Sequence, residues 1–96
     1  MNKKYAVLDF SGCQYVNEIH DRIEKALNFP EYYGRNLDAF WDCINCECDI
    51  GFVSIVGSKD VAEELRPTVQ KILEMLEENK QYWADSDDPF DYEIVS

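Results

Sequence analysis

Phe29-Pro30-Glu31-Tyr32-Tyr33-Gly34-Arg35-Asn36-Leu37-Asp38-Ala39-Phe40-Trp41-Asp42-Cys43 stops one helix, turns the chain and starts another. Pro30 has no backbone N–H and restricts the residue before it, so the preceding helical run is expected to end there. Gly34 to Asn36 supply a turn, and the Asn36 side chain is a preferred N-cap. Leu37, Phe40 and Ile44 then recur at helical spacing, which predicts a short helix to about Cys46.

Working outward, Ile19, Ile23, Ala26 and Leu27 form one apolar stripe after Asn17, with Glu18, Asp21, Arg22, Glu24 and Lys25 around the remainder. Tyr5 to Phe10 is β-rich and mostly apolar, the pattern of a strand buried on both faces, and Ser11-Gly12 closes it. On the other side, Gly51 to Val56 is a second apolar strand, closed by Gly57-Ser58. Two strands separated by two helices predict a parallel pair joined by a helical crossover. Asp60 to Leu65 has the composition of a helical turn or two. Pro67 suits a first turn, and Val69, Ile72, Leu73 and Leu76 predict a longer amphipathic helix. Asp85 to Pro89 reads as a loop, and Tyr92 to Val95 as a third strand. The expected architecture is a single α/β domain over residues 1–96, a three-stranded parallel sheet with about four packed helices.

Ninety-six residues allow one modest core and leave little room for a cleft between lobes, so an enzyme is not the default. Nine Lys plus Arg against twenty Asp plus Glu give a formal charge of −11, a field that repels phosphate backbones and attracts basic surfaces. Direct nucleic-acid binding is disfavoured. Acidity also serves plain solubility, so the charge decides nothing until the acids cluster. The N-terminus lacks a long apolar region with a small-residue cleavage site, and no stretch approaches a membrane span. The expectation is a cytoplasmic protein with no membrane association, whose cysteines Cys13, Cys43, Cys46 and Cys48 are reduced thiols.

The acids do cluster on the helix after Asn36. Asp38 and Asp42 are four residues apart, so their carboxylates are neighbours and repel by a few tenths of a kcal/mol. Asp42 lies toward the negative end of the helix, which disfavours it by roughly 0.3–1 kcal/mol. A cationic partner would turn both penalties into attraction; solvation, or pairing with Arg35 or a distant lysine, would merely offset them. Trp41 sits at the border of the core stripe, where a ring serves either as a core edge or as a binding anchor. Tyr32 and Tyr33 precede the helix on a loop fixed by Pro30 and Gly34, so that rings and acids can form one patch of the kind that accepts Arg and excludes water.

Pro30-Glu31-Tyr32-Tyr33-Gly34, Asn36-Leu37-Asp38-Ala39 and Trp41-Asp42-Cys43 resemble the signature of the barstar family of small acidic ribonuclease inhibitors. The inferred order of strands and helices is also that of the family. The resemblance implies a protein that plugs the active site of a cationic, secreted ribonuclease similar to barnase, its second helix and flanking loop entering the cleft with acids in place of RNA phosphates. By position, Tyr32, Asp38, Trp41 and Asp42 match family contact residues, Asp42 being the principal acid. After Cys43 the chain departs from the archetype: Ile44-Asn45-Cys46-Glu47-Cys48-Asp49 stands where the family has a small polar and glycine loop bearing a second tryptophan. Asn45 is a possible polar contact and Asp49 matches an acidic position. Family acids also come from the last helix, where Glu74, Glu77 and Glu78 are the candidates, with a solvated helix face as the alternative.

Other chemistry is weaker. Cys43, Cys46 and Cys48 form C-x-x-C-x-C, which could bind zinc only with His20 or a second chain to complete four ligands. A helix C-terminal end and neighbouring acids raise thiol pKa, which opposes a redox role. Asp38 and Asp42 have no desolvated pocket to separate them into acid and base. The expectation is therefore an inhibitor with no catalytic residues, no cofactor and no metal, a monomer alone, whose partner is a cationic ribonuclease of the barnase type or a related toxin. The alternatives are immunity against a different toxin and a small thiol or zinc module.

Overall fold

A computed structural model describes residues 4–31, 33–47 and 49–95, with the backbone alone at residues 46 and 47. Elements follow in the order β1 (Lys4–Asp9), α1 (Val16–Leu27), α2 (Leu37–Asp42) running into a π-helical turn (Cys43–Glu47), β2 (Ile50–Val56), a 3-10 turn (Glu63–Leu65), α3 (Arg66–Tyr82) and β3 (Asp91–Val95). The strands lie in the order β1-β2-β3, and both pairings are parallel, with Val7 opposite Ser54 and Ser54 opposite Glu93. The expected three-stranded parallel sheet is present. No helix among the described residues is long and apolar enough to cross a membrane.

Three α-helices pack on the sheet among the described residues, where about four were expected. At 60–65 the chain is instead drawn against the turn after β1: Val61 bridges Cys13, and the Ala62 N–H donates to the Cys13 carbonyl at 2.9 Å. Only one 3-10 turn fits between that bridge and Arg66, and it continues directly into α3 with Pro67 in the first turn.

Burial follows the pleat. Ala6, Leu8, Val53 and Ile55 face the helices and join Ile19, Ile23, Leu27, Phe40, Val69, Ile72 and Leu76 in the core. The opposite face of the sheet is uncovered, which corrects the expectation that β1 is buried on both faces: Tyr5 is 60% and Val7 51% exposed. An alternative device shields the middle of that face. The Tyr5 ring stacks on Phe52 at 5.3 Å; the Ser54 hydroxyl donates to Glu93 and takes the Tyr5 hydroxyl as its own donor at 2.5 Å. Ser54 is thereby buried and satisfied on a face that carries no helix.

α1 starts where the Glu18 carboxylate accepts from the backbone N–H groups of Gln14 and Tyr15, two donors the helix start leaves without intrahelical partners. It ends at Leu27, three residues before Pro30, because Asn28 adopts the left-handed conformation (φ 54°) that asparagine tolerates, and its backbone N–H donates to the Glu24 carbonyl.

Candidate functional site

α2 is held on three sides before any partner is considered. Asn36 caps it as the sequence predicts: its Oδ1 accepts from the Ala39 N–H at 2.8 Å. Phe40 is fully buried, and Leu37 and Trp41 lie half-buried against the core, so Trp41 is a core edge with one side open. Beyond Asp42 the helix widens into the π-helical turn instead of continuing to Cys46 in α form. The wider turn changes the rotation per residue, buries Cys43 and Ile44, and carries Asn45 toward α3. There its Nδ2 donates to Oδ1 of Asn79, a fully buried side chain, at 3.1 Å.

The segment entering α2 is tied to α1. Arg35 has a positive φ of 56° and turns its guanidinium back to α1, donating to Glu24 (2.9 Å), Asp21 and the Asn17 carbonyl. Arg35 is therefore used by α1 and does not neutralise Asp42. Tyr33, expected to belong to the surface patch, is instead buried at 5% exposure. Its hydroxyl meets His20 Nδ1 at 2.6 Å and its ring packs edge-on against Phe29 at 5.1 Å. Burial, with the nearby Arg35 charge second, holds the His20 imidazole below its ordinary pKa; burial raises that of the Tyr33 phenol well above the usual range. The lone histidine is thus a structural partner of a tyrosine.

What α2 leaves in solvent is the pair Asp38 and Asp42, one helical turn apart and both exposed. Among the described residues, neither takes part in an ion pair. Tyr32 lies outside the described residues. Asp49 is exposed and bonded to Lys4 at 3.0 Å, a surface contact that water screens. Cys43 is a core residue; Cys48 and the Cys46 side chain lie outside the described residues.

The acids of α3 divide by direction. Glu77 accepts from Gln81 and from the Tyr92 hydroxyl, each at 2.8 Å, bonds that hold its carboxyl below the usual range and fix α3 to β3. Burial, and then that bond, push Tyr92 up to about 12. Glu74 is exposed and accepts from Gln70. Glu78 is exposed and precedes Asn79, the residue that meets the π-helical turn. Sequence reasoning missed Asn79, although it continues the spacing of Val69, Ile72 and Leu76 and so falls on the buried stripe.

A hollow of about 390 Å3, lined by Cys13, Tyr15, Asp60 and Glu64 among others, opens where β1 and β2 end. It contains none of the sequence candidates, since α2 and the π-helical turn lead into the opposite, N-terminal end of β2.

α2 is thus a capped helix that carries two exposed acids without an ion pair among the described residues, braced from α1 and α3 beside a three-stranded parallel sheet. Residues 4–95 match the model described as Barstar (barnase inhibitor). The chain belongs to the barstar family. Among curated relatives it is 29% identical over 80 residues to the Bacillus subtilis protein named "Putative ribonuclease inhibitor YrdF", an alignment spanning 82% of this chain and 88% of that protein. Such divergence leaves room for a retuned surface on the barstar fold.

Proposed function

We propose that this protein is a stoichiometric inhibitor of a cationic ribonuclease of the barnase type, and that it occludes the active site with α2 and the segments on either side of it. The observation that carries the reading is the pair Asp38 and Asp42: exposed, one turn apart, without an ion-pair partner among the described residues, on a helix whose neighbouring cation is drawn off to α1. Like charges held this way raise the free energy of the isolated protein slightly and favour any partner that brings Arg, Lys or protonated His. Asp42 and Asp38 accept hydrogen bonds from those groups, and Tyr32 and Trp41 exclude water around them.

Asn45 holds the π-helical turn to α3 through Asn79, on the side of α2 that borders the proposed interface. Asp49, Glu74 and Glu77 contribute to the field that steers a basic protein inward, Glu77 while also bonded to Tyr92. Binding involves no bond making or breaking and no cofactor. The protein acts as a monomer in the cytoplasm of the cell that makes the nuclease. The family name and the name of the Bacillus subtilis relative support this reading. The different loop after Cys43 supports a second: immunity against a related toxin through the same helix.

Titrating purified barnase with the native protein and with Asp42→Ala tests the reading. Native protein is expected to abolish RNA hydrolysis at one equivalent. Asp42→Ala is expected to bind at least about 100-fold more weakly, in keeping with the handling of truncated charged hot spots, of which the corresponding family acid is a known example. The association rate of the native protein should fall as salt rises from low to physiological strength. No inhibition, or inhibition indifferent to Asp42, refutes it.

A further inference from the structure

The loop after Cys43 contains no aromatic residue up to Ile50, so any ring beyond Trp41 on that side of the surface must come from another element. α3 supplies one. Its two flanks can be told apart: Glu77 bonded to Tyr92 and Lys80 bonded to Asp91 mark the flank that lies against β3. At about 100° of rotation per residue, Met75, Glu78 and Tyr82 fall on the other flank. Asn79, at the inner edge of that flank, is the residue that takes the Asn45 amide. The π-helical turn therefore abuts the side of α3 that carries Tyr82, one turn beyond the Asn45–Asn79 bond.

Tyr82 is 64% exposed, and its ring is not loose. It meets Trp83 edge-on, with centroids 5.0 Å apart and planes at 69°. Trp83 is itself half-buried against the core, and its carbonyl accepts from both the N–H and the hydroxyl of Ser86, which fixes the turn behind it. Glu78 lies one helical turn before Tyr82 on the same flank and is also exposed. A braced ring beside an exposed carboxylate repeats, on α3, the combination that α2 makes from Trp41 and Asp42.

We propose that Tyr82 is a second aromatic anchor of the partner interface, which continues from α2 across the π-helical turn onto the Asn79 flank of α3. The inference rests on the inhibitor reading, and the occupant is the same cationic protein. Two features favour it. The ring is pre-positioned by Trp83, so little side-chain freedom is lost on binding, and the charge beside it complements a basic rim.

Barnase serves as the probe, with native protein, Asp42→Ala, Tyr82→Ala and Tyr82→Phe compared by inhibition titration and by association and dissociation kinetics. Tyr82→Ala is expected to dissociate roughly 10- to 30-fold faster, with an association rate within about twofold of native because no charge is removed. Tyr82→Phe should stay within about threefold of native, since the ring remains. The urea midpoint of Tyr82→Ala should match the native one, as expected of an exposed side chain. If Asp42→Ala is impaired while Tyr82→Ala dissociates at the native rate, this proposal is overturned and the inhibitor reading stands. A large shift in the midpoint would assign the ring to the fold and overturn it equally. Failure of the native protein to inhibit barnase refutes the inhibitor reading and this proposal with it.

Discussion

Replacing Tyr33 by Phe deletes one oxygen atom and probes the joint on which the segment before α2 rests. The hydroxyl lies 2.6 Å from His20 Nδ1, and the two residues are 5% and 2% exposed, so water does not readily take its place. The benzene ring fits the same space, which leaves the packing on Phe29 intact and the imidazole nitrogen without its partner. An unsatisfied buried polar group of this kind costs about 1–3 kcal/mol. For 96 residues the unfolding entropy is about 0.2 kcal/mol per kelvin, so the melting temperature should fall by about 5–15 °C. Urea unfolding at pH 8, followed by the fluorescence of Trp41 and Trp83, measures the loss directly. The midpoint should move while the slope stays native, because the same surface is exposed on unfolding. A change below about 0.5 kcal/mol would mean that the bond contributes nothing beyond a water-exposed contact, and the bracing role of Tyr33 would be wrong.

Two further outcomes concern the fold. Because burial lowers the pKa of His20 in the folded state, the unfolded chain binds the proton more readily below its ordinary value of about 6.5. Stability is then complete above that pH and is lost as pH falls toward the depressed folded value; His20→Gln should flatten the stability profile between pH 7 and pH 5, whatever its effect on absolute stability. Gly57 and Gly12 both have positive φ, yet a Cβ on Gly57 would meet Ser11 Oγ at 2.1 Å and Ser11 N at 2.7 Å, whereas one on Gly12 meets nothing within 4 Å. Gly12→Ala should therefore cost only the conformational term of about 1 kcal/mol, and Gly57→Ala distinctly more, as compared by urea midpoints; equal losses would refute the close approach of the two turns.

Much of the fold was legible because its signals are local. Apolar runs at 5–10, 51–56 and 92–95 became strands within a residue of the expected limits, and Asn36 caps α2 as its residue type and position indicate. The fourth helix was lost to a long-range contact, the recruitment of Val61 by Cys13. The early stop of α1 is local, because Asn28 takes the left-handed conformation before Pro30 can act. In the site, the exposure and spacing of Asp38 and Asp42 were readable from helical periodicity. The burial of Tyr33 was not, since two adjacent tyrosines on a loop look alike until one of them finds a histidine on another helix.

By itself, then, the sequence determined the strand and helix order, the negative charge and the pairing of two acids on one short helix, all consequences of residue type and spacing along a single segment. Only the tertiary structure decided which cations those acids would lack, which acids of α3 are occupied by internal bonds, which flank of α3 adjoins the π-helical turn, and that one face of the sheet stays open. Each of these depends on where a second segment lies in space, and neither charge nor periodicity within one segment specifies that.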